Sequence, residues 1–320
     1  MRAALPALCL ALAAPVAASA FDLTPPIVCE LGRDCHIQQY ADVDPGPGSQ
    51  DYRCGPLSYD GHKGTDFALP SLAAMEAGVT VVASAPGVVK ALRDGMADGA
   101  LVAGDTASVE NRECGNGVVI DHGDGWETQY CHLRRGSVRV SNGDRVARGD
   151  PLGAVGMSGK AEFPHVHLSV RQNGAVIDPF APWAARCGEP PETDLWQDTP
   201  GYEPGGLIAA GFAGGMPGFD AIKAGRAAVN DLDRDAPALV LFGYVFGGQM
   251  GDVIEIMIDG PDGRVVAHSV ELEKTQAQLF RAAGKRRPGA GWPAGQYEGE
   301  VRILRNRQEI DRARVTVTVE

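Results

Sequence analysis

The chain has 320 residues, 44% of them hydrophobic and 22% charged, which is the composition of a globular protein longer than one hydrophobic core usually serves. Its formal charge is -12, with 15 Lys+Arg against 25 Asp+Glu in the first 200 residues and 14 against 16 after them. That acidic N-terminal part argues against electrostatic capture by nucleic acid, anionic lipid or anionic wall polymers, all of which need a basic face.

Residues 1–20, MRAALPALCLALAAPVAASA, read as a cleaved signal peptide: Arg2, a short Ala/Leu run, then Ala18-Ser19-Ala20 as the cleavage site. No later apolar run approaches the roughly 18 residues that cross a bilayer. The expectation is an exported protein without a membrane span, periplasmic rather than secreted because the chain lacks a basic wall-anchoring repeat. With Cys9 discarded, Cys29, Cys35, Cys54, Cys114, Cys131 and Cys187 remain, and an even number in an exported chain predicts up to three disulfides. One pairing follows from local geometry. Residues 117–133 read as two strands joined at His122-Gly123-Asp124-Gly125, which brings Cys114 near Cys131.

Residues 21–54 are expected to form an irregular, disulfide-pinned extension; Asp42 and Asp44 lack the spaced oxygen ligands of a calcium loop and read as a solvated turn. Across residues 55–186, valine-rich runs of period two are separated by glycine turns, which predicts an all-β domain with few helices. Residues 187–200, rich in Gly, Pro and Asp, read as a linker. Residues 201–320 alternate cleanly, with Gly260-Pro261-Asp262-Gly263 as a hairpin turn, and predict a small immunoglobulin- or fibronectin-like β-sandwich. This accessory domain holds no cysteine and only His268, which suits packing or a protein partner better than catalysis.

The chemistry concentrates in PHVH. On a strand, residues i and i+2 project from one face about 7 Å apart, so His165 and His167 look into one site. Upstream, Gly61-His62-Lys63-Gly64-Thr65-Asp66 offers His62 and Asp66 on an extended segment, since two glycines disfavour a helix there. A catalytic zinc takes three protein ligands and keeps a fourth position for water. His62, Asp66 and one imidazole of the HVH segment meet that need, leaving the other imidazole and His132 for proton work. No HExxH helix exists, so histidine must replace the glutamate base of the zincins.

HKGTD, the strand ending YCHL, the stretch GDRVARGDPLGAVGMSG and PHVH, in this order, resemble the lysostaphin/LytM-type zinc metallopeptidases, which cut the peptide part of bacterial cell walls. The resemblance spans roughly residues 55 to 182 and implies an antiparallel β-sheet groove of the duplicated-hybrid-motif kind. It implies one Zn2+ per chain on His62, Asp66 and His167, catalytic roles for His132 and His165, an oxyanion contact from Tyr59, and peptidoglycan stem or cross-link peptides as substrate. This sequence departs from the family at Lys160-Ala161-Glu162-Phe163, where small residues are usual, which sets a charge and a ring beside the cleft. The competing functions are a non-catalytic regulator or wall-binding protein of the same fold, and a zinc protease acting on a Gly-rich protein.

Other candidates have plainer readings. His122 caps a turn, His36 and His268 are exposed or packing residues, and Cys131 belongs to a disulfide, pointed away from the face of His132 by strand alternation. The basic residues Lys285, Arg286, Arg287, Arg302, Arg305 and Arg307 read as a solvated strand face. The cysteine-anchored extension is positioned to fold across the site and keep it latent.

Overall fold

The structure is a computed structural model that describes residues 21–184, 186–189 and 193–320. The expected signal at 1–20 and residues 190–192 of the expected linker lie outside the described residues.

The described chain is all-β, and its helices are confined to α1 (Leu72–Ala77), α2 (Thr106–Val109) and α3 (Phe219–Lys223). A first unit contains β1 (His36–Gln39), β2 (Thr65–Ala68), β3 (Thr80–Val82), β4 (Gly87–Arg93), β5 (Asn116–Gly123) and β6 (Trp126–Leu133). It continues through β7 (Arg145–Val146), β8 (Pro151–Ala154), β9 (His165–Gln172) and β10 (Ala175–Ile177). Eight of these strands build one antiparallel sheet in the order β1-β2-β9-β6-β5-β4-β7, with β10 also paired to β9, while β3 and β8 pair separately. The alternation of β9 explains its central place. Val166, Leu168 and Val170 are fully buried on one side, leaving His165, His167 and Ser169 to the other.

The second unit contains β11 (Gly206–Ala213), β12 (Asp231–Leu232), β13 (Ala238–Gly248), β14 (Val253–Gly260), β15 (Gly263–Glu271), β16 (Gln276–Arg286), β17 (Gly295–Arg305) and β18 (Gln308–Val319). They form a three-stranded sheet, β11-β13-β16, and a five-stranded sheet, β12-β18-β17-β14-β15. Ile254, Ile256 and Ile258 of β14 meet Leu239 and Leu241 of β13 in a single core between the sheets. The expected Gly260–Gly263 turn joins β14 to β15.

Three sequence readings change. Residues 21–54 are not wholly irregular: His36–Gln39 is an edge strand paired with β2, and Leu23 and Tyr40 are fully buried, so the extension is part of the first core rather than a removable cover. The stretch read as a linker docks on the same core through Leu195 and Trp196, because two large apolar side chains among Pro and Asp find a closer home there than in water. Arg305 is not solvated, for it bonds Asp252 at 2.7 Å and the carbonyls of Pro204 and Gly247. All six cysteines pair, as Cys29–Cys35, Cys54–Cys187 and the expected Cys114–Cys131.

The two units touch beside β1. The Gln38 amide donates to the Ala277 carbonyl at 3.0 Å and accepts from Gln278 at 2.9 Å, and the His36 ring packs 4.6 Å from Phe246.

Candidate active site

Antiparallel register places Asp66 of β2 directly opposite His167 of β9, and Ala68 opposite His165, so carboxylate and imidazole share one face. His62 enters from the turn before β2. Gly64 lets these segments close up, since a Cβ there would lie 2.4 Å from the Leu168 carbonyl and 2.6 Å from His167 Nε2.

His62 Nε2, Asp66 Oδ1 and His167 Nδ1 converge, with separations of 3.2, 3.1 and 2.8 Å. The far side of each ring fixes its tautomer. His62 Nδ1 donates to the Tyr40 carbonyl at 2.6 Å, which leaves a lone pair on Nε2. Ser169 gives its only hydroxyl proton to the Lys63 carbonyl at 2.8 Å, so its oxygen accepts from His167 Nε2 at 3.0 Å and a lone pair faces inward from Nδ1. Two imidazole lone pairs and a carboxylate oxygen at such distances repel unless a cation lies among them. Four-coordinate zinc sets its ligand atoms about 3.3 Å apart, given bonds of about 2.0 to 2.2 Å, so this donor set fits zinc in size, ligand type and tautomer.

Burial alone would raise the Asp66 carboxyl, but the His62 and His165 rings beside it outweigh that and hold it well below the usual carboxylate range. Asp66 in turn lifts His62 against the downward pull of burial.

His132 and His165 face the same cleft, their ring centroids 4.6 Å apart. His165 Nδ1 donates to the Phe163 carbonyl at 2.9 Å and His132 Nδ1 to the Ser158 carbonyl at 2.8 Å, so each turns an Nε2 lone pair away from its anchor. Burial, then neighbouring imidazoles, hold His132 well below its ordinary pKa, and burial lowers that of His165. Both are neutral bases at neutral pH.

His132 reaches this position through a left-handed backbone, φ 63°, a conformation costing a non-glycine residue about 1 kcal/mol. Register sets the preceding Cys131 opposite His167, so regular alternation would send His132 to the other face; the left-handed residue breaks the alternation and delivers its ring to the site. The expected separation of Cys131 and His132 by alternation therefore fails. The Cys131 sulfur is nonetheless consumed by Cys114, and the His132 N–H bonds the Cys114 carbonyl at 2.8 Å.

A cleft of about 350 Å³ opens on Asp66, His132 and His165, walled by Tyr59, Lys160, Glu162, Phe163 and, from the second unit, Ala277. Tyr59 stacks on His62 at 4.4 Å and is half exposed. Burial raises its pKa, so its phenol keeps its proton at neutral pH. Elsewhere His122 Nδ1 donates to the Pro86 carbonyl, and its Nε2 accepts from Thr128, a structural role. His36 is buried and packs on Phe246, the packing role among those expected of it. A second gathering of ligand-type residues, Cys29, Asp34 and Cys35, offers no thiolate because its sulfurs are bonded to one another.

Sequence reasoning missed Tyr40, Ser158 and Ser169. Ser169 had a signal, standing two residues beyond His167 on the same strand face; Tyr40 and Ser158 act through carbonyls that every residue carries.

Residues 60–179 match the family model described as Peptidase family M23. Over 117 residues, 37% of this chain and 22% of the relative, the sequence is 32% identical to the peptidoglycan DD-endopeptidase ShyA of Vibrio cholerae. Over 132 residues, 41% of this chain and 25% of the relative, it is 33% identical to the DD-carboxypeptidase/endopeptidase Mpg of Neisseria meningitidis. The chain thus matches about a quarter of the length of these curated relatives. The catalytic domain of lysostaphin from Staphylococcus simulans overlaps 44% of this chain and 86% of its own at 22% identity, with a TM-score of 0.30.

Proposed function

We propose, from the premise that residues 60–179 are an M23 peptidase domain, that this chain is an exported, zinc-dependent endopeptidase acting on the peptide part of peptidoglycan. The observation that carries the reading is the convergence of His62, Asp66 and His167 with both imidazole tautomers set for a cation. A zinc ion held by these three residues would supply a Lewis acid and bring the pKa of water down toward neutrality.

The chain's own residues do the rest. His132 and His165, neutral and buried, take a proton from the attacking water and return one to the leaving amine. Tyr59 keeps its phenol proton and so donates to the oxygen that gains charge in the tetrahedral intermediate. Tyr40 and Ser169 hold the ligand rings in register through their far nitrogens, and Phe163 and Ser158 do the same for the two bases.

The test incubates protein from Phe21 onward with purified walls, with and without a chelator, and identifies released ends by mass spectrometry. New amine and carboxyl termini are expected only without the chelator and are restored by added zinc. Chelator-insensitive release, or undiminished release by His167→Ala, overturns the reading.

A further inference from the structure

Next to the catalytic cleft lies a second cavity of about 240 Å³, closed on one side by the first unit and on the other by α3 and Tyr244 of the second. The two spaces share a wall, because Glu162 and Phe163 line both. That wall touches the chemistry directly: the Phe163 ring stacks on His165 with centroids 4.5 Å apart, and its carbonyl orients the same imidazole. The cavity therefore begins one side chain away from His165.

Its walls are mainly apolar, with Leu69, Leu72 and Pro164 among them, yet four charged side chains line it. Lys223 and Asp220 satisfy one another at 3.2 Å. Arg226 and Glu162 are exposed, and among the described residues neither side chain has an ion pair or hydrogen bond, with each other or with any group. An apolar chamber bearing one free guanidinium and one free carboxylate matches a ligand with a short apolar stem and a zwitterionic end. Arg226 would take the carboxylate through its planar fork, and Glu162 the ammonium.

Resting on the peptidase reading above, we propose that this inter-unit cavity is a specificity subsite for an amino-acid headgroup, a free amine and carboxylate on one carbon, carried by a side chain of the substrate peptide. The second unit thereby selects substrate through Arg226 and contributes nothing to bond cleavage itself.

The probe is a peptide whose branching residue ends in that headgroup, prepared with the end free, with its amine acetylated, or with its carboxyl amidated. Hydrolysis is measured on wild type, Arg226→Ala and Glu162→Gln, and binding of the same peptides by calorimetry on His165→Ala. Arg226→Ala is expected to raise KM about ten-fold on the free-ended peptide with kcat within two-fold, and the gap closes on the amide. Glu162→Gln is expected to raise KM about ten-fold on the free-ended peptide, with its gap closing on the acetylated peptide. Arg226→Glu is expected to reverse the preference, favouring the amidated over the free end. Cleavage by wild type that ignores the blocking groups overturns the subsite and leaves the peptidase reading intact. Binding that depends on the free end without any cleavage supports the subsite and overturns the peptidase reading.

Discussion

Of the fifteen buried polar or charged side chains among the described residues, fourteen lie in the first unit, between His36 and Ser169, and only Asp252 lies in the second. The second unit holds itself together as alternating strands suggest, with isoleucine, leucine and valine between two sheets and its one buried carboxylate clasped by Arg305. The first unit buries four histidines and Asp66 and bends His132 into a left-handed conformation. Desolvating such groups costs stability unless each is paired. All three disulfides fall in that unit, along with the backbone carbonyls that satisfy the rings. Covalent cross-links thus appear where polarity is concentrated, and apolar packing suffices where it is not.

The contrast breaks most sharply at the metal ligands. Asp66→Ala or His167→Ala is expected to lower wall hydrolysis about a thousand-fold or more and to abolish stoichiometric zinc, read by elemental analysis of the purified protein. In the second unit, Arg305→Met leaves Asp252 buried without its partner. We expect about 3 kcal/mol of destabilisation in urea unfolding with zinc content retained.

Protonation sharpens the comparison at the seam between units. Burial holds His36 down to about 4 from its ordinary 6.5. Above pH 6.5 the residue is neutral whether the chain is folded or not, and it costs nothing. As pH falls from 6.5 to 4 the unfolded chain takes the proton first, and at most about 3 kcal/mol of stability is lost. His36→Gln should flatten the melting-temperature profile across that window relative to wild type; parallel profiles would refute the assignment. The smallest effect is expected at Ser169→Ala, which frees the far nitrogen of His167. Zinc affinity should fall about ten-fold in competition with a chromophoric chelator, with little change in melting.

Much of the first unit is legible in the chain itself. Period-two valines announce the strands, His165 and His167 share a face because they are two residues apart, and the hairpin at Gly123 brings Cys114 to Cys131. The illegible parts have physical reasons. The grip of Tyr40 on His62 is a backbone carbonyl presented by the register of an edge strand, and no side chain advertises it. His132 reads as an ordinary strand residue because nothing in its type predicts a positive φ. Arg305 reads as solvated because its partner, Asp252, is 53 residues away and meets it only once β14 and β17 lie side by side.

The Cys54–Cys187 bond closes a loop of 133 residues, which limits the freedom of the unfolded chain by about 5 kcal/mol on the loop-entropy account. His62, Asp66, His132, His165 and His167 all lie inside it. The segment that carries the candidate site is therefore a macrocycle. A single backbone cut on an exposed turn within the ring opens the circle without releasing a fragment, and the severed protein stays one particle until a reductant parts it. That topology is a form of wear resistance against backbone cleavage.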